Sequence, residues 1–428
     1  MLQRSLQPVT MDDGQEIQQR LFDTRSLSQE LASPLSAEDM AVQAMDDASP
    51  TKWHLAHVTW FFETFVLAKH LPGYRLFDET FPYYFNSYYE SLGPRQPRPR
   101  RGLLTRPSSE RVMAYRDHVD QALETLFAWD TGSNPEVVRL IEVGINHEQQ
   151  HQELLLTDIL ALFAVNPLRP AFFPRQRSVN QTDPDEMDWI EFSGGIHEVG
   201  HDGNGFAWDN EAPSHEVLIQ PFRLADRLVT NAEWLAFMED GGYGTASLWL
   251  SDGWATVNRE GWEAPLYWER RDGQWFQMTL EGLQPIDRRA PVCHVSYFEA
   301  DAFARWAGTR LPTEFEWEVA ARDLPLTGND LATRAFRPRP AEPKRGTPRQ
   351  MFGDVWEWTQ SAYLPYPGYR PPTGALGEYN GKFMVSQQVL RGASCATPRG
   401  HTRATYRNFF YPHQRWQFMG LRLASEPA

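Results

Sequence analysis

The stretch that most limits the fold is "SNPEVVRLIEVGINHEQQHQELLLTDILALFAV", from Ser133 to Val165. Apolar residues recur at i, i+3 and i+4, and the run is far longer than a strand. It predicts one long helix, with Asn134 before it and Pro135 at the first helical position. Its apolar stripe needs partners. Three earlier windows carry the same period: "GQEIQQRLFDTRSLSQELA", "SPTKWHLAHVTWFFETFVLAKHL" and "SSERVMAYRDHVDQALETLFAW". Ser49 is the expected cap of the second, with Pro50 opening it. Ser108 or Ser109 caps the third. Four such helices predict a four-helix bundle. The connection "FDETFPYYFNSYYESLGPRQPRPRRGLLTRP" is long and aromatic, which points to a functional loop rather than disorder.

After a linker-like "PRQRSVNQTDPDEMD" the texture changes. Gly, Pro, Trp and short apolar runs dominate, with helical windows at "TNAEWLAFME", "SYFEADAFARWAG" and "TEFEWEVAARD". In the last, Thr313 and Glu316 have the spacing of a capping box. The expected fold class is α + (α+β): a helical domain over 1–178, then an α+β domain over 187–428.

The net charge of −15 argues against sequence-independent nucleic-acid binding, which needs basic residues to displace counterions. One exception is "RQPRPRRG", from Arg95 to Gly102, a basic stretch that is either a solvated Pro-rich loop or a clamp for a carboxylate. Two cysteines, Cys293 and Cys395, make no disulfide framework and suggest a reducing compartment. No apolar leader and no run of about 18 apolar residues is visible, so the expectation is a cytoplasmic protein without a membrane span.

His147 and His151 stand four residues apart on the long helix and project from one face. Two imidazoles so placed can bind one metal ion, with a third ligand from another helix. "KWHLAH" offers His54 and His57, and spacing does not choose between them. Glu153 lies off the ligand face, as an orienting group for another histidine or as an exposed charge. "HEVGHDGNGFAWDNE" is read as loop text, not a second metal site. Imidazole ligands suit zinc, iron, copper or nickel, and a three-histidine set leaves positions open for substrate.

These residues resemble a known family. "SPTKWHLAHVTWFFETF" with "NHEQQHQE" resembles the DinB-like helical half of the ergothioneine-biosynthesis sulfoxide synthases. "FSGGIHEVG", "PVCHVSYFEADAFARWAGTRLPTEFEWEVAAR", "GDVWEWT" and "LRGASCATPRGHTRATYRNFF" resemble the formylglycine-generating-enzyme, or sulfatase-modifying-factor, fold, a C-type-lectin-like α+β domain. The resemblance implies a non-haem Fe(II) held by His57, His147 and His151, with His54 structural. It implies O2 as co-substrate and a reaction joining a cysteine thiol to C2 of the imidazole of Nα-trimethylhistidine (hercynine), with a sulfoxide as product. It implies that Gln150 positions the hercynine imidazole, Asn408 its carboxylate, and Phe409 its trimethylammonium through a cation–π contact. The site would then lie where the two domains meet. Tyr88 and Tyr89 are implied to stand on the oxygen-binding side of the iron. Phe410 occupies a place where the γ-glutamylcysteine-using branch carries Asp, which favours free cysteine over γ-glutamylcysteine. Arg98 and Arg101 are implied to hold the donor carboxylate, with Arg95 as the substitute if the loop register shifts.

Three other readings compete. An ovothiol-type enzyme would take unmethylated histidine, but no Gly-rich methyl-donor motif accompanies these domains. A true formylglycine-generating enzyme would need a cysteine pair where only Cys395 stands. A DinB-like metal-dependent thiol transferase, or a metal-binding module, leaves the second domain without a role.

Overall fold

The computed structural model describes residues 11–129, 134–174, 181–343 and 346–427. The chain forms two compact units, Met1–Val165 and Asn166–Ala428. The first is helical, and the second combines helices with sheets, as expected. The boundary between the units falls after Val165. Phe172 and Phe173 both donate their backbone N–H groups to the Leu280 carbonyl at 2.9 Å, so the segment after the last long helix already belongs to the second unit. Residues 175–180 of the expected linker lie outside the described residues. No helix among the described residues is long and apolar enough to cross a membrane.

Four long helices build the first unit: α1 (Met11–Ala32), α2 (Thr51–Phe62), α3 (Ser109–Trp129) and α4 (Pro135–Val165). Every residue of α2 is buried, because α2 packs on both α3 and α4 while α1 lies along α4. A helix buried on all sides sits only at such a centre. Gly144 on α4 faces α2, where a Cβ would come within 2.4 Å of the Phe62 ring. Two expected caps are present. Arg111 N–H donates to Ser108 Oγ (3.2 Å), and Glu136 N–H donates to Asn134 Oδ1 (3.0 Å).

The start of α2 differs from expectation. Pro50, in extended conformation, holds the cap position, and Thr51 opens the helix. Ser49 is engaged elsewhere: its N–H donates to Asp158 Oδ2 (2.8 Å) and its Oγ accepts from Arg101 (2.9 Å). At its far end α2 widens into a π-helical segment, Glu63–Leu67, before a last turn to His70. The buried Glu63 carboxylate accepts from Tyr74 Oη (2.8 Å), Phe77 N–H (3.0 Å) and Tyr115 Oη (2.6 Å). These bonds tie the start of the aromatic connection to the bundle.

A buried charge cluster joins three of the helices. Glu148 on α4 accepts from Arg25 of α1 (3.1 Å) and Arg116 of α3 (2.8 Å), and Arg25 also pairs with Asp120. Burial works to raise the Glu148 carboxyl, yet the two guanidinium groups hold it below its ordinary range.

The second unit has short strands and long connections. Its four-stranded sheet runs Asn408–Phe410, Gln388–Gly392, Trp356–Ala362, Met419–Gly420. The last strand is parallel to its neighbour and the others are antiparallel. A second sheet places Phe222–Ala225 between Trp189–Phe192 and Ala424–Ser425. Capping boxes open three helices, at Thr230/Glu233, Ser296/Glu299 and, as expected, Thr313/Glu316. So much irregular backbone needs donors for its carbonyls, and buried arginines supply them. Arg422 pairs with Glu357 and donates to the Ala225 and Arg349 carbonyls. Arg407 pairs with Glu314 and donates to those of Asn210 and Leu364. Arg391 pairs with Glu318 and donates to those of Thr405 and Tyr406.

Two stability tests follow. Glu148→Ala leaves Arg116 buried without its carboxylate and is expected to cost about 3–5 kcal/mol in urea unfolding. A cost below about 1 kcal/mol would show the cluster to be dispensable. Burial, and Arg403 after it, push His401 down to about 3 from an ordinary 6.5. The unfolded chain therefore takes up that proton first. The His401 contribution is complete above pH 6.5 and falls by about 1.4 kcal/mol per unit as pH drops from there toward 3. His401→Gln should reduce the acid sensitivity of the intact protein by that slope, and identical pH profiles would refute the assignment.

Candidate metal centre

His57 reaches inward from α2, and His147 and His151 from α4. One nitrogen from each lies within 4.8 Å of the others, and among the described residues no second group of this kind is found. The Nε2 atoms of His57 and His147 are 3.1 Å apart. The three ring centroids are 4.7–4.8 Å apart, with planes inclined at 60–86°, so the rings fan around a common point.

Local contacts select the nitrogen that His57 and His151 present. His57 Nδ1–H donates to the Phe85 carbonyl (2.5 Å), leaving Nε2 as the lone-pair nitrogen. His151 has its Nδ1 against His54 Nδ1 (2.8 Å), which likewise leaves Nε2 free for the centre. Burial, above all, pushes His57, His147 and His151 below the ordinary histidine range, His147 to about 3. Neighbouring imidazoles add to the effect on His57 and His151. Neutral rings are the form that ligates a metal. Two neutral nitrogens facing each other at 3.1 Å need a cation or a proton between them, so the donor set fits a divalent ion. With three protein ligands, coordination positions remain for small molecules.

The shell around the centre is aromatic. Trp53 and Trp60 stack on His57 at 4.6 and 5.5 Å, and Phe61 packs on His147 at 5.0 Å. Tyr89 is buried, with its ring against Trp60 (5.7 Å) and Phe65 (5.3 Å), one aromatic layer from His57. Tyr88 is part-exposed and lies 4.8 Å from Tyr89. Gln150 is part-exposed on α4, directly before His151.

The basic loop resolves into three different arginines. Arg95 pairs with Glu90. Arg98 is exposed at the start of a 3₁₀ turn, Arg98–Leu103. Arg101 is only 2% exposed, and its guanidinium lies 3.4 Å over the Trp53 ring. It donates to Ser49 Oγ (2.9 Å) and Ser87 Oγ (3.1 Å), and it pairs with no carboxylate among the described residues. Burial, then Arg98 and Arg95, push it well below the ordinary arginine range. A charge so placed calls for an anion.

In the second unit, Asn408, Phe409 and Phe410 follow one another on an edge strand, all part-exposed. Asn408 Oδ1 accepts the Phe409 N–H (2.9 Å). Phe409 stacks on Tyr363 at 4.1 Å, and Phe410 stands edge-on to Trp416 at 5.7 Å. "HEVGHDGNGFAWDNE" is loop at its centre, where His201 Nδ1 accepts the Gly203 N–H and Asp202 holds Asn204.

Two features go beyond the sequence reading. His54 is bonded to ligand His151, and its Nε2 lies 2.9 Å from Asp158 Oδ2, so it is more than filler beside the centre. Asp158 was overlooked, although it lies seven residues beyond His151, two turns along the same helix face. Glu153 is buried, which removes the exposed-charge reading.

His151→Ala is expected to abolish stoichiometric metal binding, measured by elemental analysis after reconstitution, while the near-ultraviolet signal of the Trp-rich second unit persists. Full metal occupancy in that variant would remove His151 from the ligand set.

Residues 20–155 match the DinB superfamily, and residues 175–336 and 344–427 match the sulfatase-modifying factor enzyme 1-like domain. The chain is 33% identical over 401 residues to a hercynine oxygenase of Mycobacterium tuberculosis, covering 88% of this chain and 91% of that protein. It is 32% identical over 444 residues to a hercynine oxygenase of Mycolicibacterium thermoresistibile, covering 96% and 94%. A hercynine oxygenase of Mycolicibacterium smegmatis is 36% identical over 309 residues, covering 65% and 70%. With both domains matched in order, and two of these relatives matched along nearly their whole length, the chain belongs to the hercynine oxygenase family.

Proposed function

We propose that this chain is an Fe(II)- and O2-dependent sulfoxide synthase joining cysteine to C2 of the hercynine imidazole. The observation that carries the reading is the convergence of three neutral imidazoles from two packed helices, in a chain of this family. The balance is one thiol, one imidazole C–H and one O2 giving the C–S sulfoxide and one water. Four electrons leave the organic substrates and reduce O2. Bound iron would supply the redox centre and the positions where thiol, imidazole and O2 meet, which removes much of the entropy of a three-body encounter.

The chain's own residues do the rest. His57, His147 and His151 would hold the metal, with Nε2 as the inward-facing nitrogen of His57 and His147. Trp53, Trp60 and Phe61 keep water from that face of the centre. Arg101 takes the cysteine carboxylate, because it is enclosed and its present partners are neutral hydroxyls. Arg98 assists from the loop surface. Gln150 orients the hercynine imidazole, Asn408 binds its carboxylate, and Phe409 and Phe410 offer apolar surface to its quaternary ammonium group and to the donor. Phe410 has no group to meet the amino end of a γ-glutamyl donor, which supports free cysteine. Tyr88 and Tyr89 are the phenols we assign to proton delivery.

Anaerobically Fe(II)-loaded protein, given hercynine, O2 and cysteine, is expected to consume O2 and yield the sulfoxide adduct by mass. An adduct with γ-glutamylcysteine alone would reject the donor. One with histidine in place of hercynine would move the chain to ovothiol-type chemistry. No O2 uptake with any pair would reject the oxygenase reading. Arg101→Leu should raise the KM for cysteine roughly 10- to 100-fold, the size of one lost charged hydrogen bond, and the KM for hercynine much less.

A further inference from the structure

We propose that His54 and Asp158 are positioning residues for the metal centre, forming a relay that holds His151 in the tautomer whose Nε2 faces the metal. The proposal rests on the reading that His57, His147 and His151 bind a metal.

The relay is continuous and buried. Asp158 Oδ2 lies 2.9 Å from His54 Nε2, and His54 Nδ1 lies 2.8 Å from His151 Nδ1. His54 is 3% exposed and Asp158 7%. Direction follows from donor chemistry. Asp158 Oδ2 accepts the Ser49 N–H and, as a carboxylate oxygen, accepts from His54 as well, which places the His54 proton on Nε2. In that tautomer His54 Nδ1 is a lone pair, and the short contact needs a proton on His151 Nδ1. His151 Nε2 is left as a lone pair, as a ligand requires. With the tautomer reversed, His151 would turn an N–H toward the metal. Asp158 is itself fixed, because the same Oδ2 accepts the Ser49 N–H at 2.8 Å.

Ligand His57 has a simpler anchor. His57 anchors its Nδ1–H on a backbone carbonyl, that of Phe85. His151 therefore has a side-chain anchor that ends in a full negative charge, which both orients the ring and strengthens its lone pair as a donor. Partners of this kind typically change metal affinity 10- to 100-fold when removed. Their positions are set by the bundle: His54 lies on α2 one turn before ligand His57, and Asp158 on α4 two turns after His151.

The test uses the full chain, stripped of metal and titrated with Co(II), with proton NMR in H2O and D2O. Wild-type protein is expected to show hyperfine-shifted, slowly exchanging Nδ1–H signals from His57 and His151. His54→Ala should lose one of these and bind Co(II) roughly 10- to 100-fold more weakly. Asp158→Leu should behave alike. Asp158→Asn keeps a carbonyl oxygen able to accept both bonds but loses the charge, and should fall between wild type and Asp158→Leu. A purely structural role would not separate the Asn and Leu variants in this way. If His54→Ala fails to fold, the Asp158→Leu and Asp158→Asn pair decides. Wild-type affinity with every shifted N–H retained in His54→Ala or Asp158→Leu would overturn the relay while leaving the three-histidine centre intact. No Co(II) binding by the wild type would instead overturn the centre, and the relay with it.

Discussion

Everything at the metal centre depends on how closely α4 approaches α2. Gly144 makes that approach possible: a Cβ there would meet the Phe62 ring at 2.4 Å and the Phe61 ring at 3.1 Å. One turn further along α4 stands His147, its ring 5.0 Å from Phe61 and its Nε2 3.1 Å from His57 Nε2. A larger residue at 144 would push the helices apart where the ligands must meet. The glycine costs about 1 kcal/mol of helix propensity, and the surrounding packing offsets it.

Burying α2 completely creates a second constraint. A helix with no solvent face must satisfy its polar side chains inside the protein or lose stability. Three such side chains near the centre have a partner supplied by another segment. Lys52 donates to the Leu104 and Pro107 carbonyls, Trp53 Nε1–H to that of Tyr84, and His57 to that of Phe85. All these acceptors lie on the long aromatic connection. The connection is ordered because the helix needs its carbonyls, and the helix is tolerated in the core because the connection provides them. A ligand's tautomer is thus set by a loop rather than by the helix that carries it.

The sequence displayed the architecture well and the electrostatics poorly. Period and caps identified the long helices, since a buried stripe and an Asn or Ser before it leave a local trace. His147 and His151 were legible for the same reason, four residues being one turn. The choice of His57 over His54 was not legible from spacing, because both face the bundle interior. It depends on which ring α4 meets with a ligand and which with Asp158. The difference between Arg101 and Arg98 was equally hidden. Three residues apart in a Pro-rich loop carry no period, and only the stacking of Arg101 on Trp53 separates the enclosed charge from the exposed one. The cap of α2 failed for a related reason: the Ser49 side chain is drawn to a tertiary partner that local rules do not see.

That partner gives Ser49 a larger part than capping. Its hydroxyl accepts from Arg101, and its amide donates to Asp158. One residue thus joins the guanidinium assigned to the thiol donor with the carboxylate that orients His151 through His54. The connection runs through short hydrogen bonds among buried groups, where little solvent competes and each bond constrains the next. An anion arriving at Arg101 would compete for N–H groups now directed at Ser49 and Ser87. Any shift of Ser49 would be felt at the Asp158 carboxylate. The proposed donor subsite and the proposed metal ligands are therefore joined through Ser49, although Arg101 and His151 lie fifty residues apart in the chain. Such an arrangement favours binding the thiol donor and setting the metal geometry as one event, which a centre assembled from independent ligands would not do.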